Sequence, residues 1–575
     1  MVQNPILRGF HPDPSLLRVG DDYYLATSTF EWAPGVRIYH STDLKHWDYV
    51  TSPLDDYSRM DLRGLKASDG VWAPCLSWDG AYFYLIYTVV RDAREFPVMD
   101  TPNYLIRAKK LTGPWSDPVY LNSSGFDPSL FHDEDGRKWL VNMEWDYRKI
   151  LSGENPFTGI LLQEYDPEKK ALVGEAKKIF TGSPIGGTEG PHLYRHNGYY
   201  YLMCAEGGTG WFHAVTLARS RELTGPYEIC PHNPVLTSWE GSRDPEEVEK
   251  ALAKKDLGTS FLKKAGHASL VEGPDNRWFL AHLCGRNLPG MLYCPLGRET
   301  AIQEVVWEKG WLKLKDGGSA PKDSFRAIGD SDAEEKRELL KKEYHFQDES
   351  FLEDFQTLRV FYRDLGMTIH EREGYLRIYG RDSIFSRYEQ ALLARRQMEL
   401  SFEAAVRFEF APTSFQHGAG LSYRYDERNQ YYAYVTLGDK GVELNLLSVI
   451  AGKTELLASE PVKGLAGREL PAYELSVSVE EDAVQFFWLD ETGEKRKLGP
   501  TLHSYILSDD FADGFTGAFV GVAVQDMKDR KNYADVAWFK YEERDAKQAS
   551  ICYNETVSRA VKNSPQTATL KGHKR

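Results

Sequence analysis

The chain has 575 residues, more than one hydrophobic core usually holds, so two or three domains are expected. Its 70 Lys and Arg against 85 Asp and Glu give a net charge of −15, and no basic patch precedes a short basic tail, which argues against a nucleic-acid partner. No apolar run approaches the ~20 residues of a membrane-spanning helix, so no membrane partner is expected.

Aromatic residues make up 13% of the chain, a composition that suits β-structure and sugar-stacking surfaces. The six cysteines show no C-x-x-C pairing and are read as reduced thiols. The start, "MVQNPILRGF", has neither a basic leader nor an apolar stretch, so a cytoplasmic protein is expected.

From the N-terminus, one grammar recurs five times: a small residue or proline, an apolar residue, a turn, then an aromatic strand. The copies are "HPDPSLLRVGDDYYLATST" from His11, "WAPCLSWDGAYFYLIYT" from Trp72 and "FDPSLFHDEDGRKWLVNME" from Phe126. "EGPHLYRHNGYYYLMCAEGG" from Glu189 and "GHASLVEGPDNRWFLAHLCG" from Gly266 complete the set. Their anchoring leucines, Leu16, Leu76, Leu130, Leu193 and Leu270, lie roughly 55–75 residues apart, near the ~40–50 of a four-stranded propeller blade plus its loops. Segments such as "IYHSTDLKHW" and "NYLIRAKKLTGPW" read as the outer strands of each blade.

The pattern predicts an all-β chain: a five-bladed β-propeller over residues 1–325, then a β-sandwich. A charged insertion at 240–262 reads as helical from Pro245 to Lys255. Residues 326–346 read as a linker. Alternating runs from "LRVFYRDL" to "VQFFWLD" predict the sandwich over 347–545, and 546–575 reads as a tail.

Propeller blades bring equivalent repeat positions to one axis. Alignment on the leucines places Asp13, Ala73, Asp127, Gly190 and His267 in one ring, with Glu189 and Trp72 one step behind. Asp-Pro-Ser is also a good turn start. Three acids in register are a different matter, because crowded carboxylates repel one another and share protons. Paired carboxylates beside an aromatic platform suit glycosidic bond cleavage, one protonated to release the leaving group and one ionised to activate water.

"GFHPDPSLLRVGDDYYLATSTFEWAPGVRIYHSTDLKHW", "GFDPSLFHDEDGRKWLVNMEW", "GGTEGPHLY", "GHASLVE" and "YCPLGRET" resemble glycoside hydrolase family 43, in its β-xylosidase branch with a C-terminal sandwich. The resemblance implies inversion of configuration, with Asp13 as general base, Glu189 as general acid, and Asp127 orienting Glu189 and raising its pKa. It implies Arg298 as a clamp on sugar hydroxyls, Phe30, Trp72 and Trp145 as pocket walls, and Thr209 as a further contact. Phe515, or failing it Phe519 or Phe511, would reach from the sandwich into the pocket mouth. His267 would face a water-coordinated calcium ion, although imidazole is itself a poor calcium ligand; no cofactor is needed for the chemistry. The implied activity is exo-acting release of D-xylose from the non-reducing ends of xylooligosaccharides, with a side α-L-arabinofuranosidase activity, in a dimer or tetramer. The rivals are a dedicated α-L-arabinofuranosidase, a non-catalytic sugar-binding propeller and a structural scaffold. The insertion at 240–262 exceeds the family's usual connection.

Overall fold

Each of the five repeats folds into a four-stranded antiparallel sheet, its strands in chain order from the axis outwards. The description rests on a computed structural model and covers residues 1–93, 95–255, 258–330 and 337–545, so the segment read as a tail lies outside the described residues. Blade 1 comprises Ser15–Val19, Asp22–Ser28, Val36–Ser41 and Asp48–Thr51; blade 2 comprises Gly70–Trp78, Phe83–Val90, Asn103–Ala108 and Val119–Asn122. Blade 3 is Ser129–His132, Lys138–Trp145, Phe157–Asp166 and Ala171–Phe180. Blade 4 is Glu189–His196, Tyr199–Glu206, Ala214–Ser220 and Glu228–Ile229, with Leu236–Thr237 added on its third strand. Blade 5 is Lys263–Glu272, Trp278–Gly285, Glu299–Glu308 and Trp311–Leu314. Inner strands are covered on both faces by neighbouring blades, which is why Phe83–Val90 is apolar or aromatic almost throughout and wholly buried. The N-terminus closes the ring, Val2–Gln3 pairing with Ser324–Phe325.

The repeated serine has a mechanical explanation. Ser15 Oγ accepts from the Leu76 amide of blade 2, and Ser269 Oγ of blade 5 accepts from the Leu16 amide and donates to the Pro14 carbonyl. Ser129 Oγ of blade 3 donates to the Pro191 carbonyl of blade 4. Each hydroxyl satisfies backbone groups that the ladder leaves open where blades meet.

The insertion carries a helix, Pro245–Ala253, whose N-cap Asp244 accepts from the amides of Glu246 and Glu247. It ends at Ala253, short of the expected Lys255.

The C-terminal unit is a sandwich of two antiparallel sheets around one large core. One sheet runs Met367–Thr368, Leu376–Tyr379, Tyr533–Glu543, Phe402–Phe410, Ala472–Glu480, Ala483–Leu489 and Lys495–His503. The other runs Lys453–Pro461, Gly441–Ile450, Asn429–Gly438, His417–Asp426, Phe519–Asp526, Ala391–Arg396 and Phe355–Leu358, and ends on Trp32–Ala33 from the propeller. Trp32 is fully buried there and stacks on Phe519 at 3.9 Å and 13°.

Two local expectations change. Lys341–Tyr344 lies in the segment read as linker, yet pairs with Tyr533–Glu543; three of its four side chains are exposed, so no alternation marks it. Most of "LRVFYRDL" is not strand, because Tyr362–Leu365 forms a 3-10 turn closed by Gly366 at φ +69°.

Candidate active site

The five ring positions share one backbone conformation: φ is +51° at Asp13, +29° at Ala73, +53° at Asp127, +56° at Gly190 and +44° at His267. For a residue with a Cβ this left-handed step costs roughly 1–2 kcal/mol. The pairing register shifts at the same place, between Trp72 and Cys75, Glu189 and His192, and Gly266 and Ala268. Such bulges re-aim side chains out of the regular pleat. Repeat register and strain thus coincide where the acids stand.

Asp13, Asp127, Glu189, His267 and Arg298 are all buried, none more than 7% exposed. His267 Nδ1 lies 3.6 Å from Asp13 Oδ1 and 4.0 Å from Asp127 Oδ2, and Arg298 Nη1 lies 3.8 Å from Asp13 Oδ1. Asp127 Oδ2 accepts a hydrogen bond from the Gly190 amide at 3.0 Å. Arg298 is held by its backbone, whose carbonyl accepts from the His11 amide at 2.7 Å. Beside it Gly297, at φ +69°, lets the propeller touch the sandwich: a Cβ there would stand 2.5 Å from the Thr516 carbonyl oxygen. Glu189 Oε1 and Arg298 Nε are buried without a hydrogen-bond partner. Buried polar atoms are rarely left so, and both suit a ligand with hydroxyl groups.

Burial is the main cause that pushes the Glu189 carboxyl up to about 8; Arg298 opposes the rise and the Asp13 charge adds to it. Burial also drives Asp127 well above the carboxylate range, with the Glu189 and Asp13 charges adding and the Gly190 amide and Arg298 opposing. The rise at Glu189, assigned to Asp127 by the resemblance, is therefore traced first to burial and then to Asp13. Burial lowers His267, Arg298 adds to this and Asp13 opposes it, so the ring is a neutral imidazole.

Aromatic walls surround the acids. Trp72 stands 5.8 Å from Phe30 and 5.3 Å from Phe126, and Phe126 reaches Trp145 at 5.9 Å. The sandwich supplies Phe515, 5.3 Å from Trp72 and 6.2 Å from Phe30, with the Arg298 guanidinium 4.6 Å from its ring centre. Phe519 is committed to Trp32, and Phe511 packs on Tyr505, so neither alternative competes. Thr209 lies half-buried in the loop after Tyr199–Glu206, at the end of that strand where Ala205 pairs with Glu189.

Two supports have no motif to announce them. Glu206, fully buried, accepts from the Ser183 amide at 2.8 Å and from Thr188 Oγ1 at 2.7 Å, anchoring the segment that enters Glu189. Its one sequence signal is an acid ending the apolar strand "YYYLMCAE". Lys264, three residues before His267, is the second of two adjacent buried lysines that open the mixed strand "KKAGHASLVE".

The donor set around His267 does not fit a directly ligated calcium ion. Calcium takes six to eight oxygens. Here burial lowers His192 to about 3, and His213 well below the usual range, His267 adding to both, so nitrogen-bearing rings crowd the site. Among the described residues, two groups could share an ion, Cys294–Asp509–Asp510 and His417–Asp526–Asp529, and neither includes His267. In the first, the Lys264 ammonium already bridges both aspartates. In the second, His417 Nδ1 accepts from the Thr413 amide, which leaves the proton on Nε2 facing Asp526.

Residues 2–312 match the model for glycosyl hydrolases family 43, and 343–542 match the β-xylosidase C-terminal concanavalin A-like domain. The chain belongs to glycosyl hydrolases family 43. It is 44% identical over 550 residues to a xylosidase/arabinosidase 43B of Humicola insolens, covering 94% of this chain and 97% of that one. It is 41% identical to a β-xylosidase of Bacillus subtilis, covering 94% and 100%. The crystal structure of a xylan β-1,4-xylosidase from Bacillus halodurans superposes with a TM-score of 0.85 at 46% identity, covering 94% of this chain and all of that one. As a family 43 member the chain is a glycoside hydrolase, and the acids at its axis lie in the segment that the family model spans. Five of its six cysteines are described, and all five are free and buried. Among the described residues no helix is long and apolar enough to cross a membrane.

Proposed function

We propose that this family 43 hydrolase is an inverting, exo-acting β-1,4-xylosidase that releases D-xylose from the non-reducing ends of xylooligosaccharides, with a side α-L-arabinofuranosidase activity. The observation that carries the proposal is the meeting of three buried carboxylates, from blades 1, 3 and 4, around His267 and Arg298, with Phe515 of the sandwich standing beside Trp72 and Arg298. A site capped on that side by Phe515 takes a chain end more readily than a chain interior.

In the proposed reaction Glu189, protonated at neutral pH through burial, gives its proton to the leaving glycosidic oxygen. Asp13 takes a proton from water as that water attacks the anomeric carbon from the opposite face. Arg298 sits near Asp13, stacks on Phe515 and offers Nε to a sugar hydroxyl. Asp127 holds the Gly190 amide and so the strand that carries Glu189. Trp72, Phe30 and Trp145 wall the pentose, with Thr209 at the rim. His267 supports Asp13 as a neutral ring. The acid–base pair accounts for the chemistry without a metal step, and a calcium ion near His267 would have to keep most of its own water shell.

The deciding experiment is NMR of the first product from a β-xyloside. α-Xylose before mutarotation supports inversion, and β-xylose overturns it. Relatives named for both activities make the parallel assay of nitrophenyl xyloside and arabinofuranoside the second test. A much faster arabinoside would make this a dedicated arabinofuranosidase. Assembly as a dimer or tetramer and a cytoplasmic site of action belong to the same proposal, tested by sedimentation and cell fractionation.

A further inference from the structure

Lys264 is a buried cation far from water, 3% exposed, on the innermost strand of blade 5. Its ammonium donates to Asp509 Oδ1 at 3.0 Å and Oδ2 at 2.9 Å, and to Asp510 Oδ1 at 2.7 Å. Both aspartates belong to the sandwich, in the one-turn helix Asp509–Ala512. Asp510 Oδ2 also accepts from the Cys294 amide at 2.9 Å, in the loop that leads to Arg298. A charge cluster so enclosed is costly unless fully paired, and its worth lies in fixing one geometry.

The lid begins where this helix ends. Asp513 turns the chain at φ +56°, and Gly514 passes where a Cβ would stand 2.2 Å from the Tyr425 hydroxyl and 2.9 Å from Ser68 Oγ. Phe515 then arrives, its amide donating to Ser68 Oγ at 2.9 Å. The short stretch from Asp510 to Phe515 contains a tight turn with no slack.

We propose that the Lys264–Asp509–Asp510 cluster is a positioning clasp that sets how far Phe515 closes over the pocket, and thereby the affinity for the terminal xylose and the preference for chain ends. The inference rests on the reading of the pocket as a xylose site. Lys264 touches no substrate. It acts through the helix and the turn. The clasp joins the innermost strand of blade 5 to the sandwich, so the second domain helps to form the pocket as well as shielding it. If either aspartate is released, the helix can tilt and Phe515 withdraws from Trp72 and Arg298.

The test is a double-mutant cycle in the full chain with Lys264→Met, Phe515→Ala and the pair, read by KM and kcat on xylobiose and by D-xylose titration of intrinsic tryptophan fluorescence. Lys264→Met is expected to raise KM and weaken xylose binding about threefold to tenfold, the worth of one aromatic contact, with kcat within about twofold. Phe515→Ala should do the same, and the pair should be no worse than Phe515→Ala alone. Additive losses, or unchanged KM and xylose affinity in Lys264→Met, overturn the clasp. If circular dichroism shows Lys264→Met unfolded, Asp510→Ala takes its place under the same criteria. A wild-type protein that hydrolyses no pentoside would refute the proposed activity, while the xylose titration would still decide the clasp.

Discussion

The Gly190 amide donates to Asp127 Oδ2 at 3.0 Å, a bond that crosses from blade 4 to blade 3 one residue away from Glu189. It ties the strand bearing one acid to the side chain of another. Asp127→Ala removes the acceptor and leaves a buried amide unpaired. A displacement near 1 Å at a reacting group costs about 10²-fold in rate, so kcat should fall by that order. Asp127→Asn keeps an oxygen acceptor and should retain more activity. Wild-type kcat in Asp127→Ala, measured on xylobiose, would remove Asp127 from the site.

Glu189→Gln and Asp13→Asn should each lower kcat by about 10²–10⁴-fold, the usual worth of a positioned acid or base. The two can be told apart by leaving group. An aryl xyloside with an acidic phenol needs little protonation, so Glu189→Gln should lose far less on it than on xylobiose. Asp13→Asn should lose equally on both. Equal losses in Glu189→Gln on both substrates would contradict its role as acid.

Glu189 is held up to about 8 against an ordinary 4.5, so it keeps its proton through neutrality. The basic limb of kcat/KM for the wild-type protein should therefore descend through about pH 8, and a limb near the ordinary glutamate value would mean that burial does not hold the proton there. The same shift bears on stability. A carboxyl whose folded pKa is raised binds protons more tightly when folded, so its contribution is full below the unfolded value and fades as pH rises towards about 8. Glu189→Gln carries no such charge. It should melt higher than wild type at pH 8, and the gap should shrink at pH 5.

Glu206 anchors Ser183 and Thr188 just before Glu189. Glu206→Ala strands those donors in the interior and should cost about 1–3 kcal/mol of stability by chemical denaturation, the range for a buried donor left without its partner. Its kcat should fall with it, and Glu206→Gln should recover part of both. Normal kcat in a folded Glu206→Ala would confine Glu206 to the fold.

Much of this was legible because propellers repeat. Leucine register alone put Asp13, Asp127 and His267 on one ring with Glu189 beside it, since blades of equal build carry equal positions to the axis. The resemblance added Arg298 and Phe515, which belong to no repeat. The strand Lys341–Tyr344 stayed hidden because an edge segment with exposed charged side chains has no alternation to read. Glu206 and Lys264 stayed hidden because one is a lone acid ending its strand and the other one of two adjacent lysines, and the partners of both come from elsewhere in the chain.

The sequence by itself determined the blade count, most of the strand pattern and the shared ring position of the acids, since these depend on local periodicity and repeat spacing. Only the tertiary structure gave burial as the main cause of the raised Glu189 pKa, the placing of Phe515 5.3 Å from Trp72, and the contacts that hold Phe515 there. Those outcomes depend on burial and on contacts between residues hundreds of positions apart, such as Lys264 with Asp510 and Ser68 with Phe515. Desolvation and long-range pairing are properties of the packed molecule, and no local stretch of chain encodes them.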